Sequence, residues 1–103
     1  MSEILLVLYS FHIGGNCEAF ENTYQDYLPQ QKQFPGHLGE TLVRQQGEQA
    51  SYMIVSRWQA SSFYRWLQSP EHDSMVSMLN SFRRDSSSVK KYVVAHGDEV
   101  PVS

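Results

Sequence analysis

The stretch ILLVLY at residues 4–9 is a run of apolar side chains that no polar residue interrupts. A strand exposed on one face alternates apolar and polar side chains, so this run indicates a strand covered on both faces. We expect the strand to extend over residues 3–11. A helix that follows it would cover one face, and the sheet of a second copy of the chain is a natural cover for the other. A buried central strand in a monomer is the alternative.

The segment after this strand carries the signals of a turn and then of a helix. Gly14 and Gly15 break the strand, and Asn16 is a good N-cap. From Cys17 onward one helix face is apolar, at Phe20, Tyr24, Tyr27 and Leu28. Pro29 lacks a backbone N–H, so we expect this helix to stop or kink near residue 28.

The rest of the chain alternates in the same way between strand and helix signals. The predicted elements are strands over residues 39–45 and 51–58, helices over residues 60–68 and 70–82, and a last strand over residues 89–95. Ser69 is the expected N-cap of the second of these helices, with Pro70 at its first position. The order strand, helix, strand, strand, helix, strand predicts an α+β fold of the ferredoxin-like βαββαβ type, with an antiparallel four-stranded sheet.

The length and charge of the chain exclude several classes of protein. A chain of 103 residues predicts one domain, with a core over about residues 3–95 and a tail over residues 96–103. The net charge is −3, and no concentrated basic cluster is present to neutralise phosphates, so we expect no nucleic-acid partner. No apolar run approaches the roughly 20 residues that a membrane-spanning helix needs.

The location of the protein is predicted from its start and from its single cysteine. The apolar run at residues 4–9 follows Ser2 and Glu3, without the basic segment or cleavage site of a signal peptide. Cys17 has no second cysteine with which to form an internal disulfide, which suits a reducing compartment. We therefore expect a cytoplasmic protein without a membrane partner.

The histidines give little indication of a metal site. His12, His37, His72 and His96 are scattered, and no pair has the spacing of one helix face, so we expect no metal bound by protein residues alone. His72 falls in the first turn of a helix, where the helix dipole favours the neutral imidazole. A catalytic histidine and a half-exposed surface histidine are both compatible with that position.

Aromatic side chains are the stronger signal, at 13% of the sequence. They come from several elements of the predicted fold: Tyr9, Phe20, Tyr24, Tyr52, Trp58, Phe63 and Trp66. Many of them must form the core, but a small core rarely needs two tryptophans and so many tyrosines. A cavity between the sheet and the helices, apolar with a few polar groups, would suit a small hydrophobic or aromatic ligand.

Three motifs of the sequence occur together in one known family. FPGHLG at residues 34–39, the strand from Tyr52 that closes on Trp58, and FYRWLQS at residues 63–69 resemble the antibiotic biosynthesis monooxygenase (ABM) family. The resemblance runs over about residues 4–95. It implies a ferredoxin-like fold that forms a homodimer, in which the two sheets pack into an α/β barrel and cover the first strand.

The resemblance also implies a function. Characterised members of the family include monooxygenases that oxidise polycyclic phenols without flavin, metal or haem, so it implies an oxidoreductase that acts on a small aromatic or phenolic compound without a bound cofactor. Trp66 matches a pocket tryptophan of the family. By their expected positions rather than by a motif, we add His72, Tyr9 and Tyr52 as catalytic candidates and Phe63, Phe20 and Tyr24 as pocket residues.

Two other functions remain open at this point. Haem-degrading monooxygenases of the same superfamily keep the helix tryptophan but need an asparagine on the first strand, which falls near Tyr9 or Ser10 here. They also need a histidine ligand at the position of Val76, and His72 lies one turn before it. Two of the three residues are therefore missing, which argues against haem. The other function is that of a ligand-binding dimer without chemistry of its own.

Overall fold

The computed structural model describes residues 3–48, 50–85 and 87–95, and the predicted tail at residues 96–103 lies outside them. The elements are β1 (Ile4–His12), α1 (Cys17–Lys32), β2 (His37–Arg44), β3 (Ser51–Gln59), α2 (Ala60–Leu67), α3 (Pro70–Phe82) and β4 (Ser88–Val93). This order confirms the predicted βαββαβ arrangement, with the second helix divided into α2 and α3 as the Ser69-Pro70 signal indicated.

The strands form one antiparallel sheet in the order β2-β3-β1-β4. Strand β1 lies inside the sheet, where Leu8 pairs with Val55 of β3 and with Lys90 of β4. The ferredoxin-like prediction is therefore confirmed. No helix in the described part of the chain is long and apolar enough to span a membrane.

The two faces of the sheet are covered to different extents. On β1, Leu5, Val7 and Phe11 are buried beneath the helices. The alternate side chains Leu6 and Leu8 point to the opposite face and are only half-buried in the single chain. The apolar run of β1 is thus packed on one face and partly open on the other.

The sequence predicted that α1 would stop or kink near residue 28. The helix does not stop there but continues through Pro29 to Lys32. Pro29 is exposed, as is Gln25 one turn earlier, so water can bond the backbone carbonyl that the proline leaves without a donor. The additional turn carries Gln31, which is buried on the inner face of the helix. The position of Gln31 matters for the site.

The Pro35-Gly36 turn is packed directly against the start of α2. Gly36 has φ +89°, and a Cβ atom at this position would overlap the side chain of Ser62. The carbonyl of Gly36 accepts a hydrogen bond of 2.8 Å from the backbone N–H of Gln59. Only glycine combines this backbone conformation with so close an approach, and the turn therefore fixes the start of β2 beneath α2.

Candidate functional site

A cavity of about 90 Å³ lies between the covered face of the sheet and helices α2 and α3. The strands contribute Val7, Tyr9, Glu40, Ile54, Ser56, Trp58 and Val89 to its lining, and the helices contribute Gln31, Phe63, Trp66, Leu67, His72 and Met75. Leu67 and Val89 are also exposed at the surface, which locates the mouth of the cavity between α2 and the edge strand β4. The cavity is therefore mostly apolar, with a small number of polar groups.

Two tryptophans form the inner wall of the cavity. The rings of Trp58 and Trp66 have their centroids 5.3 Å apart at an interplanar angle of 30°. Trp58 is only 1% exposed, and its indole N–H donates a 3.2 Å hydrogen bond to the hydroxyl of Ser56. Phe34 contacts both tryptophans edge-on, at 6.0 Å from Trp58 and 5.2 Å from Trp66. Both indoles are thus held by neighbouring groups rather than free to turn.

The break between α2 and α3 positions both Trp66 and His72. The hydroxyl of Ser69 donates to the carbonyl of Trp66 at 2.7 Å and accepts from the backbone N–H of His72 at 3.1 Å. This N-cap begins α3 within one turn of the end of α2. As a result, the imidazole of His72 lies edge-on to the indole of Trp66, with ring centroids 5.7 Å apart.

His72 is the lining residue best suited to accept a proton. Its Nδ1 is buried and makes no hydrogen bond to the described residues. The nearest carboxylate, that of the exposed Asp73, is 4.0 Å away. Burial lowers the pKa of His72 below its ordinary value, and the negative charge of Asp73 opposes this shift only in part. The imidazole is therefore neutral near pH 7 and can take a proton from a ligand.

A buried carboxylate lies at the other end of the cavity. Glu40 is 4% exposed, and its Oε2 accepts a 2.5 Å hydrogen bond from the hydroxyl of Tyr24. Nε2 of His37 lies 3.1 Å from Oε1, and the Gln31 amide, with its nitrogen turned to Glu40, donates to the two oxygens at 2.9 and 3.0 Å. Burial and the charge of Glu40 raise the pKa of Tyr24 far above its ordinary range, so Tyr24 stays protonated as a donor. Such donors offset the cost of burying a charge.

Tyr9 brings a third polar group to the cavity. Nη1 of Arg83, which follows α3, donates a 3.0 Å hydrogen bond to the hydroxyl oxygen of Tyr9. The same nitrogen also donates to the hydroxyl of Ser87. The phenol of Tyr9 is therefore fixed at its oxygen by a positively charged group.

The cavity brings together four of the residues singled out from the sequence: Trp66, His72, Tyr9 and Phe63. Phe20, Tyr24 and Tyr52 lie in the adjoining core. The rings of Phe20 and Tyr52 are 5.0 Å apart, and the hydroxyl of Tyr52 donates to Glu21 at 2.5 Å. Burial and this hydrogen bond raise the pKa of Tyr52. Tyr24 reaches the site only through Glu40.

Sequence reasoning did not single out Gln31 or Glu40, and it did not assign Trp58 to the pocket. One signal was available for Gln31, because it continues the helix face of Phe20 and Tyr24 by two further turns. For Glu40, the available signal was a charged side chain next to His37 inside a predicted strand region. Its partners on α1 are distant in the sequence, so no local pattern could have shown them.

Neither a cluster of metal ligands nor the expected haem ligand is found among the described residues. Within residues 3–48, 50–85 and 87–95, no group of three or more histidine, cysteine, aspartate or glutamate side chains could hold a metal. Val76, at the position of the haem ligand in the haem-degrading relatives, has no donor atom and packs against the core. The cavity is also far below the roughly 300–1,000 Å³ of ordinary ligand and cofactor pockets.

Comparison with known proteins agrees with this picture of the fold. The chain matches the model of the antibiotic biosynthesis monooxygenase (ABM) family over residues 4–77, well over half of its length. Among curated proteins no relative matches.

Solved structures provide the second comparison. SnoaB from Streptomyces nogalater, a cofactor-independent oxygenase, is 19% identical with a TM-score of 0.76, over 97% of this chain and 99% of SnoaB. A SnoaB variant reaches a TM-score of 0.81 at 19% identity, over 91% and 95%. A conserved protein from Methanosarcina mazei Go1 has a TM-score of 0.79 at 10% identity, over 88% and 92%. At such identities the likeness shows the fold alone.

Proposed function

The chain belongs to the antibiotic biosynthesis monooxygenase family, and from that premise we propose that it is a cofactor-independent monooxygenase of a small phenolic compound. The observation that carries this proposal is the apolar cavity beside Trp66, with the unpartnered Nδ1 of His72 among its lining residues. SnoaB, which has the same fold, is a cofactor-independent oxygenase, and this supports the proposal that the present protein also acts without a cofactor.

The size of the cavity favours a small ligand. Its volume of about 90 Å³ is below the roughly 150 Å³ that accommodates a benzene-sized molecule in an engineered protein cavity. A single ring therefore fits only when lining side chains, such as Leu67 and Val89 at the mouth, move outward and enlarge the cavity. Single-ring phenols fit this site better than polycyclic ones, with the ring between Trp66 and Phe63.

In the proposed reaction the substrate itself reduces molecular oxygen. His72 accepts the phenolic proton, and the resulting anion donates electrons to O₂. For a phenol that becomes a quinone, one oxygen atom forms a new carbonyl at a ring carbon. The other leaves as water with the two hydrogens that the substrate loses, one from the hydroxyl and one from that carbon. Trp58 and Trp66 form the wall that keeps bulk water away from the anion.

The protein is proposed to act as a homodimer. The face of the sheet away from the helices carries the half-buried Leu6, Leu8, Met53 and Val55 together with the exposed Tyr92. Burying these apolar side chains against a second copy would add stabilisation at roughly 25 cal/mol per Å². Light scattering of the purified protein measures the association directly, and a monomer at micromolar concentration would contradict it.

The test of the proposed function is oxygen uptake with a panel of single-ring phenols, in the absence of any added cofactor. We expect uptake above background, with one atom of labelled oxygen in the product. Because a positioned base is worth roughly 10²-fold or more, His72→Gln should lose about that factor in rate. His12→Gln is the matched control, since His12 lies at the surface beside Asp85 and outside the cavity.

The other outcomes distinguish the competing functions. Binding of phenols, seen as quenching of tryptophan fluorescence, without oxygen uptake would identify a ligand-binding protein without chemistry. A shift of the Soret band on addition of haemin would favour haem binding instead. Equal rates in the His72→Gln and wild-type proteins would remove His72 from the mechanism.

A further inference from the structure

We propose that the hydroxyl of Tyr9 donates a hydrogen bond to the phenolate oxygen of the bound substrate, and that Arg83 positions and polarises this hydroxyl. This inference rests on the proposed function and deepens it, because it assigns the place of the reacting oxygen within the cavity. It makes Tyr9 a residue that touches the substrate and Arg83 a positioning residue behind it.

The position of Arg83 is fixed from both its backbone and its side chain. Its backbone N–H donates to the carbonyl of Leu79 at 2.8 Å, and the residue forms an isolated antiparallel bridge with Ile13 after β1. Its Nη1 donates to the hydroxyls of Tyr9 and Ser87. The guanidinium is therefore held against the hydroxyl of Tyr9, a residue that lines the cavity.

The direction of the hydrogen bond leaves the proton of Tyr9 available. A guanidinium group can only donate, so the hydroxyl oxygen of Tyr9 is the acceptor in the 3.0 Å contact with Arg83. Within the described part of the chain, Tyr9 donates its own proton to no other group. Since Tyr9 lines the cavity, this proton is free to bond an oxygen atom of a ligand. A donor whose oxygen is bonded to a cation is polarised and gives a stronger bond to an anion.

The charges around the cavity favour the same placement. In the described residues Arg83 forms no ion pair with a carboxylate, whereas Arg44 lies 3.5 Å from Glu21. Among the residues that the structure describes, no carboxylate neutralises the positive charge behind Tyr9. At the opposite end, the oxygens of Glu40 already accept bonds from Tyr24 and Gln31 and contact His37.

This asymmetry orients the ligand. A phenolate oxygen is attracted to the Tyr9 end and repelled from the Glu40 end, because like charges raise the energy of an anion in a site of low dielectric constant. The apolar edge of the ring then faces Trp58 and Trp66. In this arrangement Tyr9 holds the oxygen that has lost its proton.

The test uses para-nitrophenol, whose anion is yellow, at one fixed pH near its own pKa and without oxygen. Quenching of tryptophan fluorescence reports that the cavity is occupied, and visible absorbance reports the ratio of phenolate to phenol in the bound probe. We expect this ratio to be about tenfold higher in the wild-type site than in water, which corresponds to one pKa unit. Tyr9→Phe and Arg83→Met should bring it back to the value in water.

Two further variants separate a positioning role from a structural one. Arg83→Lys keeps the charge but not the planar donor group, so we expect an intermediate ratio. Tyr9→Phe keeps the ring and leaves Arg83 in place, which provides a test that does not depend on how well Arg83→Met folds. The matched controls are Arg84→Met, next in sequence and exposed, and Tyr64→Phe, 57% exposed; both should keep the wild-type ratio.

The outcomes distinguish this inference from the proposed function. If the probe occupies the Tyr9→Phe and Arg83→Met sites with the wild-type ratio, the inference is overturned and the proposed function stands. A change of melting temperature in Arg83→Met without a change of ratio would likewise leave Arg83 a structural role only. If para-nitrophenol does not quench the wild-type protein at all, the proposed phenol site fails, and this inference fails with it.

Discussion

Two groups of aromatic side chains lie under the same sheet, and they differ in what fills the space between them. The filled cluster, defined here as Phe11, Phe20, Tyr52 and Phe82, is solid core. Phe20 is 0% exposed and has ring centroids at 5.5 Å from Phe11, 5.0 Å from Tyr52 and 5.6 Å from Phe82. The hollow cluster is defined as Phe34, Trp58, Phe63 and Trp66. Three of its rings, those of Trp58, Phe63 and Trp66, are buried but line a cavity.

The difference comes from the helices rather than from the aromatic residues themselves. Beneath the filled cluster a single long helix, α1, sets Phe20 directly against Phe11 of β1 and Tyr52 of β3. Beneath the hollow cluster α2 ends and α3 begins on the two sides of Ser69, so neither helix continues across the sheet at that point. Aromatic content alone therefore indicates a large core, and a break between helices decides where that core is left open.

The largest effect is expected in the filled cluster. Phe20→Ala removes a ring that contacts others on several sides and leaves a void that its neighbours cannot close, so we expect a loss of about 4 kcal/mol in the free energy of unfolding. Urea denaturation followed by circular dichroism measures this loss. A protein that fails to fold would agree with the expectation, because small domains have only about 5–15 kcal/mol to lose.

The matched variant in the hollow cluster is Phe63→Ala. Phe63 borders the cavity, so part of its surface has no packing partner to lose, and we expect a loss of about 2 kcal/mol. Binding of para-nitrophenol should weaken at the same time. Equal losses of stability in the two variants would show that the cavity closes on itself in solution, and the distinction between the clusters would fail.

The sequence predicted the fold more fully than the site, for a physical reason. Periodicity gives the element type and the face on which a side chain lies, and this was enough for the βαββαβ order of elements. Of the residues singled out for a site, Trp66, Phe63, His72 and Tyr9 line the cavity. It does not give the position of a ring along the sheet. Phe20, Tyr24 and Tyr52 lie on the same covered face as Trp66 but at the filled end, and no spacing in the sequence distinguishes the two ends.

Glu40 is the residue that links the two ends, and it was not predicted. It lines the cavity beside the hollow cluster, yet it accepts its shortest hydrogen bond from Tyr24, whose ring lies 6.3 Å from that of Phe20. The continuation of α1 past Pro29, also not predicted, supplies the contact from Gln31. The first failure concerns a partner 16 residues away in the sequence, and the second concerns a helix turn that a proline was expected to end or kink.

Removing this link should have the second-largest effect. Glu40→Ala leaves the donor groups of Tyr24 and Gln31 buried without an acceptor, and we expect a loss of about 3 kcal/mol in the free energy of unfolding. Because the charge of Glu40 helps to raise the pKa of Tyr24, that pKa should fall toward its ordinary value, which ultraviolet titration of the tyrosines detects.

The controls for Glu40 are one exposed and one conservative substitution. Glu48→Ala removes the same charge from the exposed turn before β3 and should change stability by less than about 0.5 kcal/mol. Glu40→Gln keeps an oxygen acceptor, so its loss should be smaller than that of Glu40→Ala. If Glu40→Ala is as stable as wild type, the buried carboxylate does not join the two ends of the core.

The smallest effect concerns the pH dependence of the hollow cluster. Burial lowers the pKa of His72 below its ordinary 6.5, so the neutral form that accepts a proton persists as the pH falls through 6.5. The rate of phenol oxidation should therefore decline on the acid side only below pH 6.5. The free energy of unfolding changes with pH in the same direction. In the unfolded chain His72 takes up a proton near pH 6.5, whereas in the folded chain it does not, so stability decreases as the pH falls below that value.

The Asp73→Asn variant tests whether the pKa of His72 controls this decline of the rate at acid pH. Its carboxylate opposes the lowering of the pKa of His72, so Asp73→Asn should move the acid limb of the rate profile further down. The shift should be small, because Asp73 is 82% exposed and solvent screens its charge. Glu71→Gln, also in the first turn of α3, removes the same charge without this contact and should leave the limb in place. An acid limb at or above pH 6.5, or one that neither variant moves, would mean that another group accepts the proton, and the hollow cluster would then be a binding site whose base lies elsewhere.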